Sequence, residues 1–364
     1  MDPQGGLAVV DDREAFRKVL RTVAPGTPLR EGLESILRAR TGALILMGDS
    51  PHVMKLVDGG FRIDSDFLPS SLYELAKMDG AIILTPDSKR ILYANTTLVA
   101  DPATPSSETG IRHRTAERVA RQTGELVISI SQRRNVISLY KGQMRYLLRD
   151  ISVILTKANQ ALQTLEKYRA VLDRALTNLA AQELADTVTV FDVVQVVQRT
   201  DRVLRIVEEI EGYICELGTE GRLVSMQMEE LAANTPEESL LLLRDYVQTS
   251  DGRTVEQVQT QLADWAGDER PEALVIARML GLGTTPASLD LPVSPRGYRI
   301  LRKIPRLPMA VIDNLVSRFG SLQRTLAASI EELDEVEGIG GVRARAIREG
   351  LRRIHEQVLL ERLP

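Results

Sequence analysis

Two short stretches of this chain carry side chains that could do chemistry together. Asp79-Gly80-Ala81 sets a carboxylate beside a glycine at the start of an apolar run that continues to Leu84. Arg112-His113-Arg114, followed by Thr115, sets cationic and donor side chains at a helix start just after Gly110. Cations there oppose the helix dipole and cost stability unless an anion joins them. A carboxylate can hold Mg2+ or Mn2+, which need hard oxygen ligands, and arginines can hold phosphates. Together the two stretches read as a site for a metal–polyphosphate. Gly80, lacking a Cβ, would let a nucleotide lie against the backbone. Ser131-Gln132-Arg133-Arg134 repeats the phosphate-binding logic at a strand end, with one hydroxyl and two guanidiniums.

A third feature lies far downstream. From Leu333 to Ile347 a helix ends, Gly338 and Gly340 make a tight hairpin, and a second helix begins at once. Its first backbone N–H groups would face a phosphate, flanked by Arg343 and Arg345, with Ile339 anchoring the hairpin in the core. Ile304 to Gly320 reads as a weaker copy. Such contacts go to a DNA backbone, so binding is expected to be sequence-independent and salt-sensitive.

Other motifs fail. No Gly-Lys pair occurs, which excludes a P-loop. Arg343 stands where Gly338-Ile-Gly340 would need the third glycine of a dinucleotide fingerprint. Asp64-Ser65-Asp66 offers the paired carboxylates of a two-metal transferase and is kept as a competing reading. His52, His113 and His355 show no zinc spacing. Cys215 is the single cysteine, which precludes an internal disulfide, and its helical setting reads as core.

Three regions must position these motifs. Residues 1–148 alternate helix and strand signals and read as an α/β domain on a mixed sheet. Helices are expected over Asp12 to Val23, Leu29 to Arg40 and Arg112 to Gln122, with a capping box at Ser71 and Glu74 opening another. Strands are expected over Gly42 to Met47, Val53 to Val57, Ala81 to Thr85, Arg90 to Tyr93, Leu126 to Ser131, Val136 to Tyr140 and Gln143 to Leu148. Residues 149–290 carry one long apolar stripe from Leu155 to Leu179 and a second from Val197 to Leu217, which reads as an all-α spine with solvated charged faces. Thr235-Pro236 opens a helix there, and Pro271 to Leu280 is another. Leu291 to Pro295 is a linker, and 291–364 is a compact helical module.

The 364 residues carry a net charge of −4, unevenly spread. Residues 1–148 hold 20 basic and 17 acidic side chains, 149–294 hold 13 and 24, and 295–364 hold 13 and 9. The ends could therefore meet polyanions that the middle would repel. Aromatic content of 4% argues against a stacking-based reader of single strands. The N-terminal stretch lacks the pattern of a secretion signal, and no apolar run approaches the ~18 residues of a membrane helix, so a cytoplasmic protein is expected.

These motifs resemble those of the DisA family of bacterial diadenylate cyclases. Asp79-Gly-Ala81 resembles its DGA motif, Arg112-His-Arg114 its RHR motif, and the Gly338-Ile-Gly340 unit its helix-hairpin-helix domain. Tyr73 to Ala81, Leu92-Tyr-Ala-Asn95 and Arg134 to Tyr140 also fit, and the likeness covers the whole chain. The resemblance implies a reaction in which two ATP give cyclic di-AMP and two pyrophosphates, with Mg2+ or Mn2+. It implies cyclase domains meeting face to face within a homo-octamer, and branched DNA, bound at Gly338, Gly340, Arg343 and Arg345, lowering activity in a nucleoid-associated protein. Asp79 would bind the metal and help activate the 3′-hydroxyl. Gly80, Ala81 and Leu98 would line the nucleotide. Arg112, His113, Arg114 and Thr115 would hold phosphates, joined by Ser131 and Arg134. The family usually has threonine where this chain has Ile111, and a basic residue is common at Gln132. The alternative is a DNA-binding scaffold whose front domain binds a nucleotide without turnover.

Overall fold

The computed structural model describes residues 14–249, 252–265 and 272–360. Asp12 and Arg13 of the first expected helix, and Pro271, lie outside them. The chain divides into two compact units: residues up to 159 with 211–225, and 160–210 with 226 onward.

The first unit is built on one mixed sheet. Its helices in chain order are α1 (14–22), α2 (Pro28–Arg38), α3 (Pro51–Met54), α4 (Pro69–Leu75) and α5 (Ile111–Thr123). Its strands are β1 (Ala43–Met47), β2 (Val57–Asp58), β3 (Phe61–Asp66), β4 (Ala81–Leu84), β5 (Arg90–Leu98), β6 (Leu126–Ser131), β7 (Val136–Lys141) and β8 (Met144–Leu147). The order is β2-β5-β4-β1-β6-β7-β8, with β3 paired to β5. β1 runs parallel to β4, with Leu44 beside Ala81, and antiparallel to β6, with Ile45 beside Ile128.

β1 and β4 are buried along their whole length. Burial on both faces is why they read as unbroken apolar runs. Ile45, Ile82 and Leu84 pack on one face with Leu29, Leu33 and Ile36 of α2. Leu44, Leu46, Ala81 and Ile83 pack on the other with Ala116, Val119 and Ala120 of α5. The sheet is thus sandwiched between helices, and α5 lies on the face opposite α2. Gly124, at φ 72°, stops α5 as its sequence position predicts.

Three local expectations are corrected. Of the strand expected over Val53–Val57, only Val57 is strand; Val53 and Met54 close helix α3, which Ser50 caps by accepting from the Val53 N–H at 3.3 Å, with Pro51 at the first helical position. Helix α4 starts at Pro69, so Ser71 lies inside it and no capping box forms. β3 was not expected, because it is an exposed edge strand whose polar residues mask the pattern. Along it, Asp64 and Asp66 both bind Arg90, at 2.9 and 3.1 Å.

The second unit is helical. Helix α6 (Ile151–Ala185) and helix α7 (Val190–Leu217) cross both units. α6 has 35 residues, about 52 Å at the helical rise. Cys215 is half-buried on α7 rather than sealed in the core. Helices α8 (Arg222–Ala232), α9 (Thr235–Tyr246), α10 (Val255–Ala263) and α11 (Ala273–Leu280) follow. The C-terminal part holds α12 (Tyr298–Arg302), α13 (Met309–Phe319), α14 (Leu322–Ala327), α15 (Ile330–Asp334) and α16 (Gly341–Leu360). α12 and α13 form one hairpin and α15 and α16 another, around Ile304, Leu307, Ile312, Leu315, Val336, Ile339, Ala344 and Ile347. No helix among the described residues is long and apolar enough to cross a membrane.

Candidate functional site

One edge of the first unit's sheet collects the sequence-predicted residues. The parallel pairing of β1 and β4 puts Gly42 and Gly80 at neighbouring strand starts. The antiparallel partners place the end of β5, with Leu98, and the end of β6, with Ser131, at that same edge. Helix α5 begins there too: the Arg112 guanidinium fills the place that a side chain on Gly42 would take. β4 and β6 are two strand spacings apart, so Asp79 and the Ser131 turn are separated by roughly 10 Å across the sheet. Asp64 and Asp66 pair with the opposite end of β5. Arg90 bridges both there, at the end of β5 away from the start of α5, which disfavours the two-metal reading.

The cations at this edge are unpaired. Arg112, Arg114, Arg133 and Arg134 make no side-chain hydrogen bond or ion pair among the described residues. Two turns on, Arg118 donates to the Thr104 carbonyl at 2.9 Å, and Arg121 pairs with Glu117 at 2.7 Å. The same helix satisfies its later arginines and leaves its first ones open. Gly110 precedes α5 without a side-chain cap, so its first N–H groups are open as well. Gly110, Ile111, Arg112, His113, Ser131 and Arg133 help line a cleft of about 490 Å³.

His113 is 9% exposed, and its Nε2 is buried with no partner in the structure. Its Nδ1 lies 3.0 Å from the Tyr140 hydroxyl, which donates to Glu108 at 2.7 Å, and Arg145 pairs with the same Glu108 oxygen at 2.8 Å. Burial holds His113 below the usual histidine range; Arg134, Arg145 and Arg112 add to this, and Glu108 opposes it. The ring is therefore neutral near pH 7. Burial and Glu108 push the Tyr140 phenol well above its ordinary value.

Asp79 is exposed and makes no hydrogen bond or ion pair among the described residues. Gly80 has φ +93°, and a Cβ there would sit 2.7 Å from the Thr96 carbonyl oxygen. Its missing side chain thus makes room for strand β5. Ala81 and Leu98 are buried in the core, so only their backbones reach this edge. Thr115 is half-buried just past the first turn of α5, and Arg114 is exposed. Ser131 accepts from the Arg134 N–H at 3.1 Å, which leaves its hydroxyl hydrogen for a ligand. Among the described residues no group of three His, Cys, Asp or Glu side chains could hold a metal. A hard cation would fit Asp79 as its one protein carboxylate, its remaining ligands coming from phosphate and water. Glu108 and Tyr140 were not singled out in the sequence: one sits in a polar loop, the other reads as core.

In the second unit, Gly338 has φ +82° and Ile339 is buried, as the hairpin reading requires. Gly340 faces open space. Arg343 donates to the Gly338 carbonyl, and Arg345 to the Gly341 carbonyl at 3.1 Å. Both guanidiniums keep further donors free.

Residues 30–144 match the family model described as DisA bacterial checkpoint controller nucleotide-binding, and 148–289 match the DisA bacterial checkpoint controller linker region. The chain is similar to the DNA integrity scanning protein DisA of Symbiobacterium thermophilum, 64% identical over 97% of this chain and 99% of that one. It is also similar to DisA of Carboxydothermus hydrogenoformans, 60% identical over 93% and 96%. DisA of Clostridium kluyveri is 54% identical over 97% and 99%.

Proposed function

The chain belongs to the DisA family, and on that premise we propose that it is a diadenylate cyclase that condenses two ATP into cyclic di-AMP and two pyrophosphates. The observation that carries this is the set of unpaired cations and the orphaned His113 Nε2 at the start of α5, on the sheet edge that also bears Asp79. Arg112, Arg114, Arg134 and the open N–H groups of α5 would hold the triphosphate, with Thr115 and Ser131 adding hydroxyl donors. Asp79 would hold Mg2+ or Mn2+, which when bound would polarise the phosphates and lower the cost of ionising a 3′-hydroxyl.

Attack of a 3′-oxygen on an α-phosphate needs in-line placement and charge neutralisation, with no covalent nucleophile. One site holds one ATP, so the ring must close between two copies of the chain facing each other across a two-fold axis. Met78, Val99 and Ile111 are exposed apolar side chains at this edge, and such a partner would cover them. The C-terminal hairpins would bind DNA through its backbone, branched DNA being the expected regulator and a homo-octamer the expected assembly.

Incubation with ATP and either metal, followed by chromatography of the products, tests the proposal. A cyclic dinucleotide and pyrophosphate in a 1:2 ratio are expected. No product with either metal would leave the scaffold reading, a front domain that binds nucleotide without turnover.

A further inference from the structure

We propose that Glu108 and Tyr140 are positioning residues of the nucleotide site: they hold His113 so that its Nε2 takes up a proton and donates to phosphate when a polyphosphate settles on the arginines. This rests on the nucleotide reading of that cleft.

Hydrogen-bond polarity fixes the ring. The Glu108 carboxylate, paired with Arg145 at 2.8 Å, can only accept, so the Tyr140 O–H at 2.7 Å must donate to it. The Tyr140 oxygen is then left to accept from His113 Nδ1 at 3.0 Å. Nδ1 therefore carries the proton, and Nε2 is a bare lone pair. That lone pair is buried without a partner, on a residue that lines the cleft. A lone pair would repel a phosphate oxygen, whereas an N–H would bind it.

The charges around the ring decide when the proton arrives. Arg112 faces it from α5, Arg134 from the β6–β7 turn and Arg145 from β8, while Glu108 faces it from the loop before α5 and Tyr140 from β7. In the free protein the arginines oppose a further positive charge. A triphosphate neutralises Arg112 and Arg134, while Glu108 remains behind the ring. The balance then favours the imidazolium, whose Nδ1–H keeps its bond to Tyr140. The one new N–H can form only at Nε2, on the phosphate side. Glu108 and Tyr140 line no part of the cleft and act through His113.

The test is calorimetric titration with the α,β-methylene analogue of ATP between pH 6 and 8, in two buffers of different ionisation enthalpy. Wild type is expected to take up a fraction of a proton per site beyond that of His113→Gln, and its affinity should fall as pH rises through neutrality. Glu108→Gln, which keeps the shape, should lose most of that excess uptake, flatten the pH profile and weaken binding roughly tenfold. Tyr140→Phe should do the same. If its larger packing role unfolds it, Glu108→Gln alone carries the test. Tight binding by wild type with uptake equal to that of His113→Gln overturns this inference alone. Failure of wild type to bind the analogue overturns the nucleotide reading and this inference with it.

Discussion

The starts of α5 and α16 both carry arginines, and they are built differently. At α5, Arg112 and Arg114 are unpaired, the first lying against the sheet, and a buried chain of His113, Tyr140 and Glu108, ending on the exposed Arg145, stands behind them. At α16, Arg343 and Arg345 bond back to carbonyls of their own hairpin, and Val342 beside them is 82% exposed. The local chemistry is shared: open N–H groups, glycine and guanidinium. The surroundings differ. A first turn packed on a sheet edge with an orphaned imidazole suits one ligand of defined shape. A tip facing open solvent suits a polymer backbone that passes by.

The largest effect should come from breaking the first start. Asp79→Asn keeps the size of the side chain and removes its charge, so cyclic dinucleotide formation should fall by roughly a thousandfold. DNA affinity, measured by gel shift, should stay within error. A variant that still cyclises ATP would place the metal elsewhere and end the metal–phosphate account of this edge.

The second start should yield more gradually. Arg343→Glu with Arg345→Glu should weaken DNA binding by on the order of 1 kcal/mol or more per phosphate contact at low salt. The slope of log affinity against log salt should shrink by about 2. Unchanged affinity, with an unchanged slope, would move the contact to another face.

How much of this was legible in the sequence follows from what each signal depends on. Strands β1 and β4 were readable because burial on both faces leaves an unbroken apolar run. Asp79, Arg112, His113 and Arg114 were readable because their types conflict with their settings: a carboxylate beside a turn, cations against a helix dipole. The arrangement behind them was not. Glu108 becomes part of the site only through Tyr140, and Tyr140 only because β7 lies beside β6, a pairing that no local window encodes. Gly80 has a second reason that the sequence does not display, since the space its Cβ would take is filled by β5. Edge strand β3 is hidden by its polar residues, and the same residues give Asp64 and Asp66 the look of metal ligands in the sequence, whereas in the fold Arg90 binds both.

The two glycines carry the comparison into stability. Gly80→Ala must place a methyl 2.7 Å from a carbonyl oxygen of β5, at φ +93°. It should cost about 2–4 kcal/mol, strain and crowding together. Gly338→Ala meets the same φ penalty at +82°, but its nearest neighbour, Val311 Cγ2, lies at an ordinary 3.5 Å. It should cost only about 1–2 kcal/mol. Denaturant melts of the two variants check the order. Equal costs would mean that β5 yields, and that the approach of β4 and β5 is loose enough to admit a methyl group.

The smallest effect lies in the hairpin that echoes α15–α16. Arg306 stands in the α12–α13 turn where Gly338 stands in the other, and the two turns match residue for residue: Ile304 with Val336, Leu307 with Ile339, Ile312 with Ala344. Arg306 has φ +61°, so this hairpin keeps the left-handed turn without the residue suited to it. Arg306→Gly relieves about 1–2 kcal/mol of backbone strain and gives back roughly half of that as entropy of the unfolded chain, a net gain of about 0.5–1 kcal/mol. Arg306→Ala keeps the strain and should gain nothing. A melt in which the glycine variant is no more stable than the alanine variant would show that the Arg306 turn is unstrained, and the two hairpins would then differ in sequence alone.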